Sequence, residues 1–382
     1  MKNEAAFIAA QAGVVPLLTG IPGVAKTATT NAFAVAMKRP SYTLIGSIRE
    51  PADIAGYPML KNGNQPACME FVPPSWVHRL NEQPSVLFVD ELTCCAPTVQ
   101  AALLRVIAEK VVGDVQLRPD TIVMAACNPP DQAAGGYDLE PPMANRLCHL
   151  TWEIDWESWD SGMLNGLTFP EPKVPVLPVD WRRHLGDWAA RVAAFRRHRP
   201  TLFADMPKER SQQSGPWPSP RSWTNGALCL AAAASVGAKG ETRHELLAGC
   251  VGSGPAGEFF AWMDSMDLPD PSELIEAAAK DIKAGREVEW KPLGRPDKVL
   301  ACLAAVRHAV GEKPKLDVWR AAMEICTAAL DESAEIACSI AARLHGKETR
   351  PKGGMVPKKL EKYICEHIVD HVGTAIVPKG SV

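Results

Sequence analysis

No stretch of this 382-residue chain approaches the roughly eighteen consecutive apolar residues that a membrane-spanning helix needs. The apolar run near the start, AAFIAAQAGVV, is short for a secretory signal, lacks a basic lead-in and runs directly into a loop. A cytoplasmic protein is therefore expected. Nor is there a large charge of either sign. The formal net charge is −3, which excludes a global field drawing the chain onto nucleic acid or an anionic membrane. No C-x-x-C occurs among the 11 cysteines, most of which sit inside apolar runs such as VMAACNPP and ALCLAAAAS. That pattern predicts buried free thiols in a reducing compartment and not a disulfide framework. There is no G-x-S-x-G nucleophile elbow, no zinc-finger spacing and no internal repeat. HELLA, from His244, stops short of the H-E-x-x-H zinc motif because Ala248 stands where the second histidine belongs.

The length suits two or three domains, and 46% apolar with 22% charged residues is ordinary for a globular protein. In the first 150 residues five apolar runs read as buried strands: GVVPLLTG, SYTLIGS, PSVLFVDE, DTIVMAACNPP and RLCHLTWE. Helical patterns such as KTATTNAFAVAMKR and PTVQAALLRVIAEK lie between them. Strands that are apolar throughout and separated by helices imply an α/β fold with a five-stranded parallel sheet covered on both faces. Ligands bind such sheets beyond the carboxyl ends of the strands, and the chemistry-bearing residues are expected there. The expected division is 1–153 as an α/β core, 154–240 as a Trp/Pro-rich connector running into helix, and 241–382 as a helical C-terminal extension. Within the extension, 317–344 repeats apolar residues at helical spacing, and a Pro/Gly linker at 351–357 precedes one more helix. His367 and His371 fall one turn apart there, but without a third ligand they read as a solvated pair.

LLTGIPGVAKTATT is nearly a phosphate-binding loop. The pattern G-x-x-x-x-G-K-[ST] is met at Gly20, Lys26 and Thr27, while Ala25 replaces the second glycine. In the loop Gly20, Ile21, Pro22, Gly23, Val24, Ala25, Lys26, Thr27 and Ala28, backbone amides would converge on a β-phosphate, with Gly23 allowing close approach. Alanine is expected to be tolerated provided its φ stays negative. Lys26 supplies charge to the phosphates, Thr27 a hydroxyl to Mg²⁺, and the following helix aims its N-terminus at the anion.

About sixty residues on, VLFVDEL places Asp90 and Glu91 at a strand tip. Asp90 is the expected Mg²⁺ ligand beside Thr27, and Glu91 would polarise the water that attacks the γ-phosphate. Asn128 in AACNPP would orient water beside the metal without adding charge. Arg146 follows a short helical stretch before the last strand, where an arginine can reach a neighbouring subunit's nucleotide. Arg221 sits in the first turn of a helix started by Ser219 and Pro220. A cation there opposes the helix dipole by up to about 1 kcal/mol, which points to another duty.

GIPGVAKT, LFVDEL, ACNPP and ANRL in this order resemble the AAA+ ATPases, and within them the MoxR branch, over roughly residues 10–153. MoxR-like proteins often carry A-K-[ST], so the resemblance implies that Ala25 is a family variant in a working ATP site. REPADIAGYP and FVPPSWVHRL look like segments around the family's inserted hairpin, and EKVVGDVQLRPD suggests a second hairpin turning at Gly113-Asp114. Tyr57, Met59 and Leu60 lack an obvious core and are expected to face the pore of a ring or a partner. By the same resemblance Arg221 is the lid's sensor-2 arginine, touching the γ-phosphate. RHELLAGCVGSGPAGEFFAWM and DLPDPSELI look like the tail of a subgroup found with metallopeptidase-like partners.

The resemblance implies ATP hydrolysis with Mg²⁺, coupled to chaperone-like remodelling of a protein partner by a homo-oligomer, expected to be a hexamer. It also implies a partner carrying a von Willebrand A-like domain. A nucleic-acid-directed motor is the first rival; the acidic balance and the lack of a zinc ribbon or winged-helix signal argue against it. The second is a nucleotide-gated scaffold with little turnover, against which Glu91, Asn128 and Arg146 speak.

Overall fold

The computed structural model describes residues 3–61, 68–129, 136–266, 268–311, 313–346 and 349–367. His371 and most of the turn-rich KNGNQ stretch lie outside the described residues. The chain forms two compact units, one of 1–185 with 201–258, the other of 186–200 with 259–382.

The first unit is built on nine strands: β1 (Pro16–Thr19), β2 (Ser41–Ile45), β3 (Tyr57–Lys61), β4 (Cys68–Val72), β5 (Val86–Asp90), β6 (Val111–Val112), β7 (Val115–Gln116), β8 (Ile122–Cys127) and β9 (Cys148–Thr151). The five apolar runs become one parallel sheet in the order β2-β5-β8-β1-β9. Every residue of β8 is buried, as are Val86 to Val89 of β5, because helices cover both faces. The helix Pro97–Glu109 starts on a proline and buries Val99, Leu103, Val106 and Ile107, an i, i+4, i+7, i+8 stripe. Strand order reverses beside β1, where the chain leaves for the edge strand β2 and later returns through β8. Ligands bind such sheets beyond the carboxyl ends at this point, and the Gly20–Thr27 loop follows the carboxyl end of β1.

Both hairpins exist. β3 pairs antiparallel with β4, and β6 with β7 across Gly113 (φ 55°) and Asp114. The two touch each other: the Phe71 amide donates to the Asp114 carboxylate at 3.2 Å, and a Cβ on Gly113 would meet the Ala55 carbonyl oxygen at 2.6 Å. Tyr57, Met59, Leu60 and Met69 stay mostly exposed, at 57–67%.

The second unit is helical. Its core gathers Val299, Leu303, Trp319, Met323, Ile336 and Ile340 from the helices Pro296–Val310, Leu316–Ala328 and Leu330–Leu344. The apolar repeat at 317–344 is thus two helices separated at Ala329, with Ser333 at φ −157° inside the second. The Glu332 carboxylate accounts for the break, because it accepts the Trp290 indole N–H at 2.5 Å and the Leu293 and Gly294 amides at 2.9 and 2.7 Å. Among the described residues no helix is long and apolar enough to cross a membrane.

Candidate functional site

β1 ends at Thr19 and turns into the loop at Gly20, a position that has no room for a side chain. A Cβ there would meet the Trp152 carbonyl oxygen at 2.7 Å and Val24 Cγ2 at 3.3 Å. The Trp152 indole, just past β9, donates to the Val24 carbonyl at 3.0 Å and so anchors the loop from the neighbouring strand. Gly23 has φ 83°, with open space on its Cβ side. Ala25 has φ 61° and ψ 26°, which overturns the expectation of a negative φ. An L-residue in this region sits about 1–2 kcal/mol above its right-handed alternative. The helix Lys26–Ala36 begins immediately after it, so its unpaired first-turn amides face the loop. Gly20 and Val24 are buried, whereas Ile21 is 47% exposed and Pro22, Gly23, Ala25 and Ala28 face outward.

Lys26 is buried. Its ammonium donates to the Gly20 carbonyl, to the Ile21 carbonyl at 3.2 Å and to Asn128 Oδ1 at 2.9 Å. Burial pushes its pKa below the ordinary lysine value, and the nearby Asp90 carboxylate works in the opposite direction. The Thr27 hydroxyl donates to Asp90 Oδ2 at 2.8 Å, while Asp90 Oδ1 accepts the Glu91 amide at 2.9 Å. A hydroxyl and a carboxylate oxygen side by side form a hard donor set of the kind Mg²⁺ takes. Both Thr27 and Asp90 are partly open to solvent, so the pair is accessible.

Glu91 stands just past β5 with φ 59°, and its carboxylate accepts a hydrogen bond from the Ser47 hydroxyl. Sequence reading missed Ser47. Ile45 pairs with Asp90 in the sheet, so the residues following β2 and β5 are neighbours. Gly46 permits the approach, since a Cβ there would lie 2.2 Å from Cys95 Sγ. Burial drives the Cys95 thiol up to about 12, which makes it a packing group and not a nucleophile.

Arg146 and Arg221 lie elsewhere. Cys148 pairs with Pro16, at the amino end of β1, so Arg146 precedes the amino edge of the sheet, contrary to the expectation that all such residues gather at carboxyl ends. Four residues of strand, roughly 13 Å, separate that edge from Trp152 and the loop. The Ser219 hydroxyl donates to Asn145 Oδ1 at 2.6 Å, and Asn145 donates to the Trp217 carbonyl at 3.0 Å. These bonds dock the start of the helix Pro220–Ser235 beside Arg146. Among the described residues, the Arg146 guanidinium donates locally, to the Pro142 carbonyl at 2.6 Å. Burial lowers its pKa, the Arg221 guanidinium adds to the lowering, and Glu109 opposes it. The structure thus brings Lys26, Thr27, Asp90, Glu91 and Asn128 together at one edge of the sheet. It brings Arg146 and Arg221 together at the other.

Residues 15–148 match the family described as ATPase family associated with various cellular activities (AAA). The solved structure of a candidate ATPase from Cytophaga hutchinsonii is 19% identical, with a TM-score of 0.39, over 63% of this chain and 78% of that one. No curated protein matches the chain.

Proposed function

We propose that the AAA-type ATPase domain at 15–148 hydrolyses ATP to ADP and phosphate, and that the protein uses this cycle to remodel or activate a protein partner. The observation that carries the reading is the convergence of Lys26, Thr27, Asp90, Glu91 and Asn128 beyond the carboxyl ends of β1, β5 and β8. The loop amides and the start of the helix Lys26–Ala36 bind the phosphates, and Lys26 turns its ammonium from the loop carbonyls to the β- and γ-oxygens. Thr27 and Asp90 are the residues that would hold Mg²⁺, which supplies charge neutralisation at the phosphates. Glu91 accepts the proton of the attacking water, and Asn128 fixes Lys26 in position.

The finer reading follows the MoxR-like resemblance. In it the protein is a hexameric ring, Arg146 of one subunit meets the γ-phosphate of the next, Arg221 is the lid's sensor-2 arginine touching the γ-phosphate, and the partner is von Willebrand A-like or metallopeptidase-like. Two adjacent guanidiniums, one of them partly buried, repel each other, which supports a shared duty at a phosphate. The exposed Tyr57, Met59 and Leu60 of the β3–β4 hairpin suit contact with a polypeptide.

Phosphate release and nucleotide binding by the purified protein test this. Lys26→Ala should lose ATP binding, and Glu91→Gln should keep binding and lose turnover. Affinity capture on the Glu91→Gln form with ATP should then retain the partner. Unchanged turnover in Glu91→Gln would remove the assigned base, and ATP binding that survives Lys26→Ala would remove the site.

A further inference from the structure

Three thiols from three separate elements meet inside the first unit. Cys148 opens β9, Cys229 lies in the helix Pro220–Ser235, and Cys250 in the helix Gly240–Val251. All three are buried and free, and their sulfurs lie within 4.8 Å of one another. Among the described residues, the buried cysteines of the second unit form no such group.

The spacing matches a recognisable chemistry. An ion bound at about 2.3 Å by three thiolates holds their sulfurs about 4 Å apart. The observed group needs to contract by less than one ångström, about a side-chain adjustment. Gly249 lets the helix backbone approach the strand closely enough for the sulfurs to meet: a Cβ there would stand 2.9 Å from Cys148 Sγ and 2.6 Å from the His149 carbonyl oxygen. The Cys148 thiol has a weak contact to the Leu246 carbonyl at 3.6 Å. If the three were mere apolar filler, alanine or valine would serve without turning three polarisable sulfurs toward one point.

We propose that Cys148, Cys229 and Cys250 bind a thiophilic d10 cation, Zn²⁺ or Cu⁺, as three thiolates. Binding releases the three thiol protons to solvent. Zn²⁺ leaves one net negative charge in the interior and Cu⁺ leaves two, which favours Zn²⁺, whereas three ligands without a fourth favour Cu⁺. Because all three cysteines are buried, the ion is structural, and it enters as the chain folds. It fastens the sheet edge to two helices. Cys148 is two residues beyond Arg146 and Cys229 two turns beyond Arg221, so the ion also fixes the spacing of the arginine pair. The site stands independently of the nucleotide chemistry.

The test is to refold the full chain with Co²⁺, Zn²⁺, Cu⁺ or chelator, remove free metal by gel filtration, and measure bound metal. About one equivalent per chain should remain, with a thiolate-to-Co²⁺ charge-transfer band that oxygen ligands at Thr27 and Asp90 cannot produce. Cys250→Ser should lose the band and the bound metal, and Cys302→Ser should keep both. Metal analysis of the protein purified under reducing conditions separates Zn²⁺ from Cu⁺. If Cys250→Ser does not fold, the wild-type chain decides alone: metal should raise its Tm, with the thiolate-to-Co²⁺ band present. Wild-type protein that refolds without retaining thiolate-bound metal overturns the proposal, as does a band that survives in Cys250→Ser.

Discussion

The Ser47 hydroxyl donates a hydrogen bond to the Glu91 carboxylate across 44 positions of sequence. The bond occupies Glu91 Oε2, an oxygen that the proposed base needs for water. Hydrogen bonds to charged groups contribute about 1.5–3 kcal/mol, so the serine restrains Glu91 in the nucleotide-free chain. Ser47→Ala is expected to raise basal ATP turnover by roughly tenfold, equivalent to about 1.4 kcal/mol, with KM unchanged. A fall in kcat would show instead that Ser47 orients the glutamate for the reaction.

The left-handed backbone at Ala25 makes position 25 a sensitive probe. Ala25→Gly removes about 1–2 kcal/mol of backbone strain and adds about 0.5–1 kcal/mol of unfolded-state entropy. A net gain of up to about 1.5 kcal/mol is expected, read as a higher urea midpoint, with Kd for ATP changed by less than tenfold. Ala25→Val should lower the midpoint, since a β-branched residue tolerates positive φ poorly. Equal midpoints for glycine, alanine and valine would contradict the left-handed assignment.

Lys26 links stability to pH with an unusual sign. Its folded pKa is depressed by burial, while the unfolded value stays near 10.4. Between the two, the unfolded chain holds more protons than the folded one, so stability rises with pH across that window. Below the window the penalty of burying the ammonium is fully in force. ATP affinity should fall over the same interval as the ammonium is lost. Urea midpoints from pH 8 upward, wild type against Lys26→Met, isolate the effect from Lys110, whose pKa burial also lowers, and the wild-type ATP Kd is followed over the same range. Parallel pH profiles for the two proteins would exclude it.

Arg146 lies at the amino edge of the sheet while the loop lies at the carboxyl edge. If the arginine serves a neighbour, Arg146→Ala should bind ATP normally and lose roughly 10³–10⁵ in kcat. Mixing it with Lys26→Ala should recover activity, because some interfaces then pair an intact loop with an intact arginine. Specific activity should also fall steeply on dilution. Turnover that is independent of concentration, with no rescue on mixing, would confine each site to one chain.

Sequence by itself determined the parts whose physics is local. Gly20, Lys26 and Thr27 announce a loop entering a helix, five apolar runs announce the parallel strands (although the edge strand β2 buries only Leu44), and Ser219-Pro220 announces a capped helix start. Each depends on the chemistry of a few adjacent residues or on a period of apolar positions. The tertiary structure alone decided what depends on register and on close approach. The left-handed Ala25 follows from a loop held between β1 and Trp152, a constraint 127 residues from Ala25. Ser47 reaches Glu91 because the edge strand β2 pairs with β5, and no local signal specifies which strands become neighbours. The two arginines share one end of the sheet, and the three thiols one point in the core, because packing brings distant segments together where composition is silent. Short-range preferences choose the elements; burial of the sheet's two faces chooses their neighbours, and with them the site.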